Sequence, residues 1–285
     1  MSKIPQTDLI INNDGSVYHL NLKPEHIADL IITVGDPGRV YKVSQHFDNI
    51  EFEMNKREFI THVGSYKGKR LTVMSTGMGT DNIEIVLTEL DALANVDFKT
   101  RKVRDKKRKL QIIRIGTSGS LQIDLKCDSH LVSDYGVGFD TLMSFYDLPQ
   151  TEFEKVIGQE LKEKINLPFQ PYCVKGSEEL KRKFAFDMIE GNTLTCPGFY
   201  APQGRSVRAK SRFDDLIKDL NYFHYDNFWL TNFEMETAGY YAMGRILGHE
   251  VISLNAILAN RIEDKFSKDP AKAIDSLIVK VLDRV

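Results

Sequence analysis

The chain has 285 residues, of which 42% are hydrophobic and 27% are charged. This composition is typical of globular proteins and excludes the disordered and fibrous classes, and the length is sufficient for a core that needs no metal or disulfide. The net charge of −2 gives no global reason to expect nucleic acid or a membrane surface as a partner.

Cysteine usage and the N-terminus indicate a cytoplasmic protein. Cys127, Cys173 and Cys196 are far apart and odd in number, and no CxxC pair or metal-ligand spacing occurs. This pattern is typical of a reduced compartment. The first residues lack the apolar run of a signal peptide, and no later stretch is long enough to span a bilayer. We therefore expect a cytoplasmic location and no membrane partner.

Strand-like and helix-like segments alternate along the chain after a loosely organised arm that ends near residue 16. The segments predicted as strands are 30–34, 71–75, 111–115, 130–133 and 251–256, and those predicted as helices are 83–94, 151–165, 233–247 and 270–285. Neither a repeat nor a linker interrupts this alternation. We predict a single α/β domain over residues 1–285, with a parallel or mixed sheet covered by helices on its faces.

One segment departs from this alternation. Residues 99–109 (KTRKVRDKKRK) carry eight basic residues and one acidic residue, Asp105. A patch for nucleic acid or phosphate is one interpretation. A solvated insertion between a helix and a strand is the other, and we favour it because no aromatic residues interleave for base stacking.

Glycine-rich clusters follow three of the predicted strands: residues 35–39 (GDPGR), 76–80 (TGMGT) and 116–119 (GTSG). Ligands of open α/β sheets bind beyond the carboxyl ends of strands, where glycine N–H groups can approach an anion. Arg39, Arg114 and the Thr117 hydroxyl would suit a phosphate dianion. A structural ion pair is the alternative for each arginine. Neither GxxxxGK[ST] nor GxGxxG is present, which favours free phosphate over a nucleotide.

A fourth cluster, residues 232–236 (NFEME), opens a predicted helix. Asn232 is a plausible N-cap, and Glu234 in the first turn would favour the helix dipole. Alternatively, Glu234 and Glu236 hold vicinal sugar hydroxyls while Met235 packs against the ribose, since a carboxylate can accept two hydroxyl hydrogen bonds.

Together these motifs resemble the nucleoside phosphorylase family, whose members include uridine phosphorylases and hexameric purine nucleoside phosphorylases. GDPGRV, STGMG, RIGTSG and FEMETAG occur in the family's order, and the resemblance runs from about His19 to near the C-terminus. It implies a three-layer α/β/α fold whose mixed sheet is partly barrel-like. The site residues that it implies are Gly35, Arg39, Arg114 and Thr117 for phosphate, and Met235 and Glu236, with Glu234 alongside, for ribose.

The resemblance also implies a homo-oligomer, a dimer or a hexamer, with active sites shared between subunits. His19, toward the ribose, and Arg57, toward phosphate, fall where relatives place residues of the neighbouring subunit. Considered alone, both would be solvated surface residues. Glu58 matches one ligand of a monovalent cation that some relatives hold, but Asn82 replaces a hydroxyl residue there. We expect no metal and no cofactor, with inorganic phosphate as co-substrate.

The segment 198–205 (GFYAPQGR) resembles the part of the family that recognises uracil. Gln203 can accept from N3–H and donate to a neighbouring carbonyl, Arg205 can donate to O4, and Phe199 would pack against the nucleoside. A polar surface loop is the alternative. Purine-specific relatives carry a Ser-Asp pair after the late strand, whereas Asn260 follows it here, and a neutral amide cannot protonate purine N7.

The predicted activity is phosphorolysis of a pyrimidine nucleoside, with uridine as the substrate. Arg39 and Arg114 would orient phosphate below C1′, while Gln203 and Arg205 would stabilise the departing base. The alternatives are a purine nucleoside phosphorylase, a hydrolytic nucleosidase, a nucleoside-binding protein without catalysis and a nucleic-acid binder that uses residues 99–109. Deoxyuridine and thymidine remain open as substrates.

Overall fold

The computed structural model describes residues 3–285 and contains fifteen strands and seven α-helices in that range. The strands are β1 (Leu30–Val34), β2 (Asn49–Lys56), β3 (Phe59–Tyr66), β4 (Lys69–Ser75), β5 (Val96–Asp97), β6 (Lys102–Val103), β7 (Gln111–Ser120), β8 (His130–Gly138), β9 (Tyr172–Lys175), β10 (Ile189–Thr195), β11 (His224–Tyr225), β12 (Phe228–Trp229), β13 (Asn232–Glu234), β14 (Glu250–Asn260) and β15 (Lys265–Phe266). The helices are α1 (Pro37–Ser44), α2 (Thr80–Asn95), α3 (Glu152–Ile165), α4 (Glu178–Phe184), α5 (Leu216–Tyr222), α6 (Thr237–Leu247) and α7 (Pro270–Leu282). Every predicted strand and helix overlaps one of these elements.

One eleven-stranded mixed sheet organises the fold. Its order is β15-β14-β8-β10-β13-β7-β1-β4-β3-β2, with β9 paired to β8. Because β14 also pairs with β7, the five strands from β14 to β7 close into a barrel, while β1 to β4 extend from it as an open sheet. Buried Ile83, Leu87 and Leu90 of α2 belong to the same apolar cluster as Ile32 of β1. The predicted mixed α/β fold with a partly barrel-like sheet is confirmed.

The register of β7 explains why distant motifs meet. Strand β1 runs parallel to β7 and its last pair is Val34 with Ile115. Strand β7 continues to Ser120 and pairs antiparallel with β13, where Phe233 lies opposite Gly119. The chain leaving β13 therefore returns toward the end of β1. The prediction that the glycine-rich cluster 116–119 follows the strand is wrong, because β14 pairs with β7 along its length and keeps these residues in the strand.

The fourth motif also begins differently from the prediction. Helix α6 starts at Thr237, because the preceding residues pair with β7 and β10 as strand β13. Asn232 is not the N-cap: its amide donates to Ser118 Oγ at 2.9 Å and accepts from Thr193 Oγ1 at 2.9 Å. The carboxylate that accepts from the first N–H groups of the helix is that of Glu234.

The N-terminal arm and the basic insertion (residues 99–109) are joined by hydrogen bonds. Arg101 donates from Nε to the carbonyl of Ile4 and from Nη2 to that of Pro5, and Leu9 is buried in an apolar cluster with α2. The described part of the arm thus has more order than the loose arrangement expected from its sequence. Arg108 pairs with Asp29 and Lys109 pairs with Glu250. Arg101, Arg108 and Lys109 of this segment therefore have partners within the chain.

Candidate active site

The first two glycine clusters and the fourth motif meet at the end of β1. A Cβ added to Gly35 would lie 3.5 Å from the Gly77 carbonyl oxygen, so the first and second clusters touch. The Gly79 N–H donates to Glu236 Oε1 at 2.9 Å, which joins the second cluster to the fourth. Gly77 and Gly79 have φ values of +71° and +94°, which glycine adopts without steric cost.

Arg114 lies at the centre of a buried ion cluster. Its side chain is enclosed, with 5% of the residue exposed, and its Nη2 is 2.7 Å from Glu234 Oε2 and 2.6 Å from Glu236 Oε2. Nη1 donates to Ser253 Oγ and Asn255 Oδ1 at 3.1 and 3.0 Å. Burial disfavours the charged guanidinium, but the two carboxylates outweigh it and raise the pKa of Arg114. The structural ion pair considered as an alternative is therefore present, and it keeps this arginine charged and fixed.

Gly116 makes room for this arrangement. It follows Arg114 by two residues on β7, so the two residues share one face of the strand. A Cβ at Gly116 would overlap the guanidinium of Arg114. The glycine at this position is explained by the path of the arginine side chain rather than by a turn.

The two glutamates of the fourth motif have different roles. Glu234 accepts from the N–H groups of Glu236 and Thr237 at 3.0 Å and from Thr195 Oγ1 at 2.7 Å, so it organises the start of α6. Glu236 spans from the Gly79 N–H to Arg114, and burial raises its pKa against the attraction of that arginine. Met235, between them, is half-buried. The helix-start interpretation fits Glu234, and Glu236 is the carboxylate that faces the glycine clusters.

Arg39 is the more available cation of the predicted phosphate site. It is half-buried, and its Nη1 donates to the Ile115 carbonyl at 3.2 Å. Burial and the nearby Arg114 lower the pKa of Arg39, while Asp36 opposes them. Thr117 is half-buried, and strand alternation places its side chain on the face of β7 opposite to that of Arg114. Its contact with phosphate stays a prediction.

The predicted base residues form a second cluster, linked to the first through β13. Gln203 is buried with 3% exposed, and Arg205 Nη1 donates to Gln203 Oε1 at 2.6 Å and to the Phe199 carbonyl at 2.7 Å. The Arg205 guanidinium also stacks 3.7 Å from the Phe199 ring centroid and lies 5.8 Å from that of Phe233. Since Phe233 directly precedes Glu234, the base cluster borders the ion cluster.

Arg261 is a member of the base cluster that the sequence did not single out. Its Nη1 donates to the Gln203 carbonyl at 3.0 Å, and its guanidinium lies 5.6 Å from the Phe233 centroid. Burial and the proximity of Arg261 lower the pKa of Arg205 to about 10. In the sequence, the only feature that marked Arg261 was its position directly after a long apolar strand.

The Asn260 side-chain amide is bonded within the loop that follows β14. Its amide donates to the carbonyls of Gln122 and Leu125 at 2.9 and 3.0 Å, and its oxygen accepts from the N–H groups of Ile262 and Glu263 at 3.0 and 2.9 Å. These four bonds use the whole amide for the loop after β14. The residue that faces the base cluster is Arg261, which is not a general acid for purine N7 either.

Among the contacts of the described residues, His19 and Arg57 share the Tyr18 ring. The Arg57 guanidinium is 5.9 Å from the Tyr18 ring centroid, and His19 packs edge-on against the same ring at 4.8 Å. Within the part of the chain that the structure describes, His19 bonds to Glu89 and not to the phosphate or base residues. The structure thus brings these two predicted residues together around the Tyr18 ring.

The second glycine turn also carries the residues considered for a cation. A Cβ at Gly77 would lie 2.5 Å from Asn82 Nδ2 and 3.0 Å from Glu58 Cγ, so both side chains border this turn. Residues 3–285 contain no group of three His, Cys, Asp or Glu side chains arranged to hold a metal. The expectation of a site without metal or cofactor stays a prediction. Over the same residues, no helix has the length and apolar character needed to cross a bilayer.

Comparisons with known proteins identify the family. A profile of the Phosphorylase superfamily matches residues 29–282. The chain belongs to the phosphorylase superfamily. A uridine phosphorylase of Thermococcus kodakarensis is 28% identical over 284 residues, covering 98% of this chain and 89% of that protein. A DeoD-type purine nucleoside phosphorylase of Vibrio cholerae is 24% identical, covering 83% and 81%.

A solved structure agrees with these relatives. The crystal structure of a Trypanosoma brucei nucleoside phosphorylase, described as showing uridine phosphorylase activity, superposes with a TM-score of 0.87 at 27% identity, covering 98% of this chain and 100% of that one. The chain is therefore an enzyme, a pentosyltransferase of the nucleoside phosphorylase kind. The resemblance noted in the sequence is confirmed at this level.

Proposed function

We propose that this enzyme is a uridine phosphorylase, which converts uridine and inorganic phosphate reversibly to uracil and ribose 1-phosphate. The observation that carries the proposal is the joined pair of Gln203 and Arg205, which borders the Arg39 and Arg114 site through Phe233. The relatives from Thermococcus kodakarensis and Trypanosoma brucei, whose names carry the same activity, support it.

The base cluster has the hydrogen-bonding groups that uracil requires. Gln203 Oε1 accepts from Arg205 and retains a second lone pair for uracil N3–H, while its Nε2 can donate to a uracil carbonyl. Arg205 and Arg261 present two cations with no carboxylate within ion-pair distance among the described residues. Such a site favours a base that leaves as an anion and needs no general acid.

The phosphate and ribose sites would bind the other two reacting parts, the phosphate nucleophile and the sugar. Phosphate, held by Arg39, Arg114 and Gly35, would lie below C1′ of the ribose, on the face of β7 opposite to the Thr117 side chain. The C1′–N1 bond breaks with its electron pair going to N1, and a phosphate oxygen forms the new bond to C1′. Glu236 and Met235 would hold the sugar, with Glu234 fixing the helix start behind them. The phosphate charge stabilises the oxocarbenium-like transition state.

We also propose that two subunits share each active site, with His19 and Arg57 completing the site of a neighbouring copy. Mixing His19→Ala with Arg39→Ala tests this sharing. A mixed dimer would contain one site with both defects and one site with neither, so activity should rise well above the mean of the two variants. Activity at the mean would overturn the shared site without affecting the assignment of substrate.

The substrate is tested with uridine and inosine, each with and without phosphate, by following free base. We expect uracil release that requires phosphate. Hypoxanthine release instead would favour a purine nucleoside phosphorylase, and phosphate-independent uracil release would favour a nucleosidase. Gln203→Leu should lower kcat/KM for uridine about 10²-fold, the scale of a lost transition-state hydrogen bond, whereas Gln159→Leu on helix α3 should not. A cytoplasmic location and the absence of a cofactor remain parts of the proposal.

A further inference from the structure

A buried carboxylate, that of Glu89, bonds to the half-exposed His19. Glu89 is on α2 among the buried apolar residues Val86, Leu90 and Leu93, and only 7% of it is exposed. A carboxylate in such surroundings is costly unless hydrogen bonds satisfy it. Every hydrogen bond that it receives within the described residues comes from His19 and Leu20.

The geometry of these bonds is specific. Glu89 Oε1 is 3.0 Å from the His19 backbone nitrogen and 2.8 Å from His19 Nδ1, and Oε2 is 2.9 Å from the Leu20 backbone nitrogen. An ionised carboxylate only accepts, so the proton of the neutral imidazole lies on Nδ1. Nε2 is then the free nitrogen, and it acts as an acceptor.

The histidine ring is held in place but remains reachable. Its side chain is 32% exposed, and the Tyr18 ring packs against it edge-on at an interplanar angle of 83°. The Arg57 guanidinium lies 5.9 Å from the centroid of the same Tyr18 ring, and Arg57 is at the tip of the β2–β3 hairpin with a φ of +56°. Anchoring the backbone N–H groups of His19 and Leu20 would not require a buried carboxylate that also fixes the half-exposed imidazole of His19.

We propose that Glu89 is a positioning residue, which fixes the tautomer and orientation of His19 so that Nε2 accepts a ribose hydroxyl in the active site of a second copy. The inference rests on the proposed function, since the hydroxyl is that of a nucleoside. Glu89 itself touches no substrate. A structural role limited to anchoring residues 19 and 20 is the competing explanation.

A double-mutant cycle separates the two roles. Glu89→Gln should raise KM for uridine about tenfold and leave kcat within about threefold, the scale of one hydrogen bond. His19→Ala should do the same, and the double variant should be no worse than His19→Ala, because Glu89 acts only through the histidine. Glu53→Gln, an exposed glutamate on β2, is the control. A loss that adds to that of His19→Ala, or one confined to kcat, would overturn the proposal.

The nitrogen NMR spectrum of the histidines gives a readout that does not depend on activity. His19, assigned by its absence from the His19→Ala spectrum, should appear as the Nδ1–H tautomer in the unsubstituted enzyme. Glu89→Gln should shift it toward the other tautomer. An Nε2–H tautomer in the unsubstituted enzyme would refute the inference even if Glu89→Gln failed to fold. If the enzyme shows no phosphorolysis but the Nδ1–H form is found, the proposed function fails and the fixed tautomer stands.

Discussion

Two arginines of the proposed active site occupy opposite electrostatic environments. Arg114 is built into strand β7, and its guanidinium contacts the carboxylates of Glu234 and Glu236. Arg205 lies in a loop, donates only to neutral oxygens and has Arg261 as its neighbour. The pKa of the first is raised and that of the second is lowered to about 10.

Because their environments differ, substitutions at Arg114 and at Arg205 should affect stability and activity differently. The ion cluster around Arg114 is mutually satisfied, so removing its cation leaves two buried carboxylates without a counter-charge. The base cluster concentrates positive charge that the fold itself does not need, which suits a ligand that becomes negative during the reaction. We therefore expect changes in the first region to affect both folding and catalysis, and changes in the second to affect catalysis alone.

The largest effect is expected for Arg114→Met. Breaking a buried ion pair by removing one partner costs about 3–5 kcal/mol of stability, and kcat/KM should fall about 10³-fold with the loss of a phosphate ligand. Urea unfolding and the phosphorolysis assay measure the two quantities. Exposed Arg212→Met is the control and should change neither. A variant with intact stability would mean that the carboxylates do not depend on Arg114.

Arg205→Met tests the other side of the comparison. We expect kcat/KM for uridine to fall about 10²-fold. The free energy of unfolding should stay within about 1 kcal/mol of the parent or rise, because a partly buried cation without a carboxylate partner is removed. Exposed Arg208→Met on the same loop is the matched control. A stability loss comparable to that of Arg114→Met would erase the distinction between the two clusters.

The sequence predicted the parts of the site that lie within short motifs. Arg39, Arg114 and Glu236 could be proposed as site residues because each stands at a fixed offset from glycines or acids in its own segment. The fold then brings these segments together. The Gly79 N–H, for example, donates to Glu236, which is 157 residues later in the chain.

The features that the sequence did not predict correctly share one physical cause: each depends on contacts between residues far apart in the chain. The end of β7 and the start of α6 were misplaced because β14 and β13 pair with β7, and local propensity does not record such partners. Arg261 was missed because its place in the site depends on the loop that carries Gln203. Glu89 gave no signal as a buried acid on an apolar helix face, since its partner His19 is 70 residues away.

The acidic side of the pH profile should distinguish the ion cluster from the base cluster. Burial raises the pKa of Glu236 above the ordinary value of 4.5, although Arg114 opposes the shift. As the pH falls from neutrality toward that value, protonation should weaken the contact with Arg114 and kcat/KM should decline. The folded state binds this proton more readily than the unfolded state, so ionised Glu236 costs stability above its folded pKa. The cost disappears as the pH falls.

Glu236→Gln provides the comparison for this pH dependence. The stability of the parent enzyme relative to the variant should therefore increase toward acidic pH, while its activity advantage decreases. Urea unfolding and initial rates over the same pH series measure both. Parallel changes in stability and activity would contradict the raised pKa. Arg205→Met should retain the acidic limb of the parent, since the base cluster has no carboxylate.

The smallest effect on activity is expected at Thr195, which bonds to the ion cluster through Glu234. Its Oγ1 donates to Glu234 Oε1 at 2.7 Å and accepts from the Ala238 N–H at 2.8 Å. Thr195→Val keeps the shape but leaves that buried N–H without a partner, so the free energy of unfolding should fall by about 1–3 kcal/mol.

Activity should respond much less than stability to this substitution. Because Glu236 keeps its bonds to Gly79 and Arg114, kcat/KM of the folded Thr195→Val enzyme should change less than about threefold, under the 1.4 kcal/mol that a tenfold change requires. The control is Thr61→Val on β3, whose buried hydroxyl has no hydrogen-bond partner among residues 3–285 and whose loss should not destabilise. A large loss of activity in Thr195→Val would show that Glu234 contributes to substrate binding directly, and the division of roles between the two glutamates would then fail.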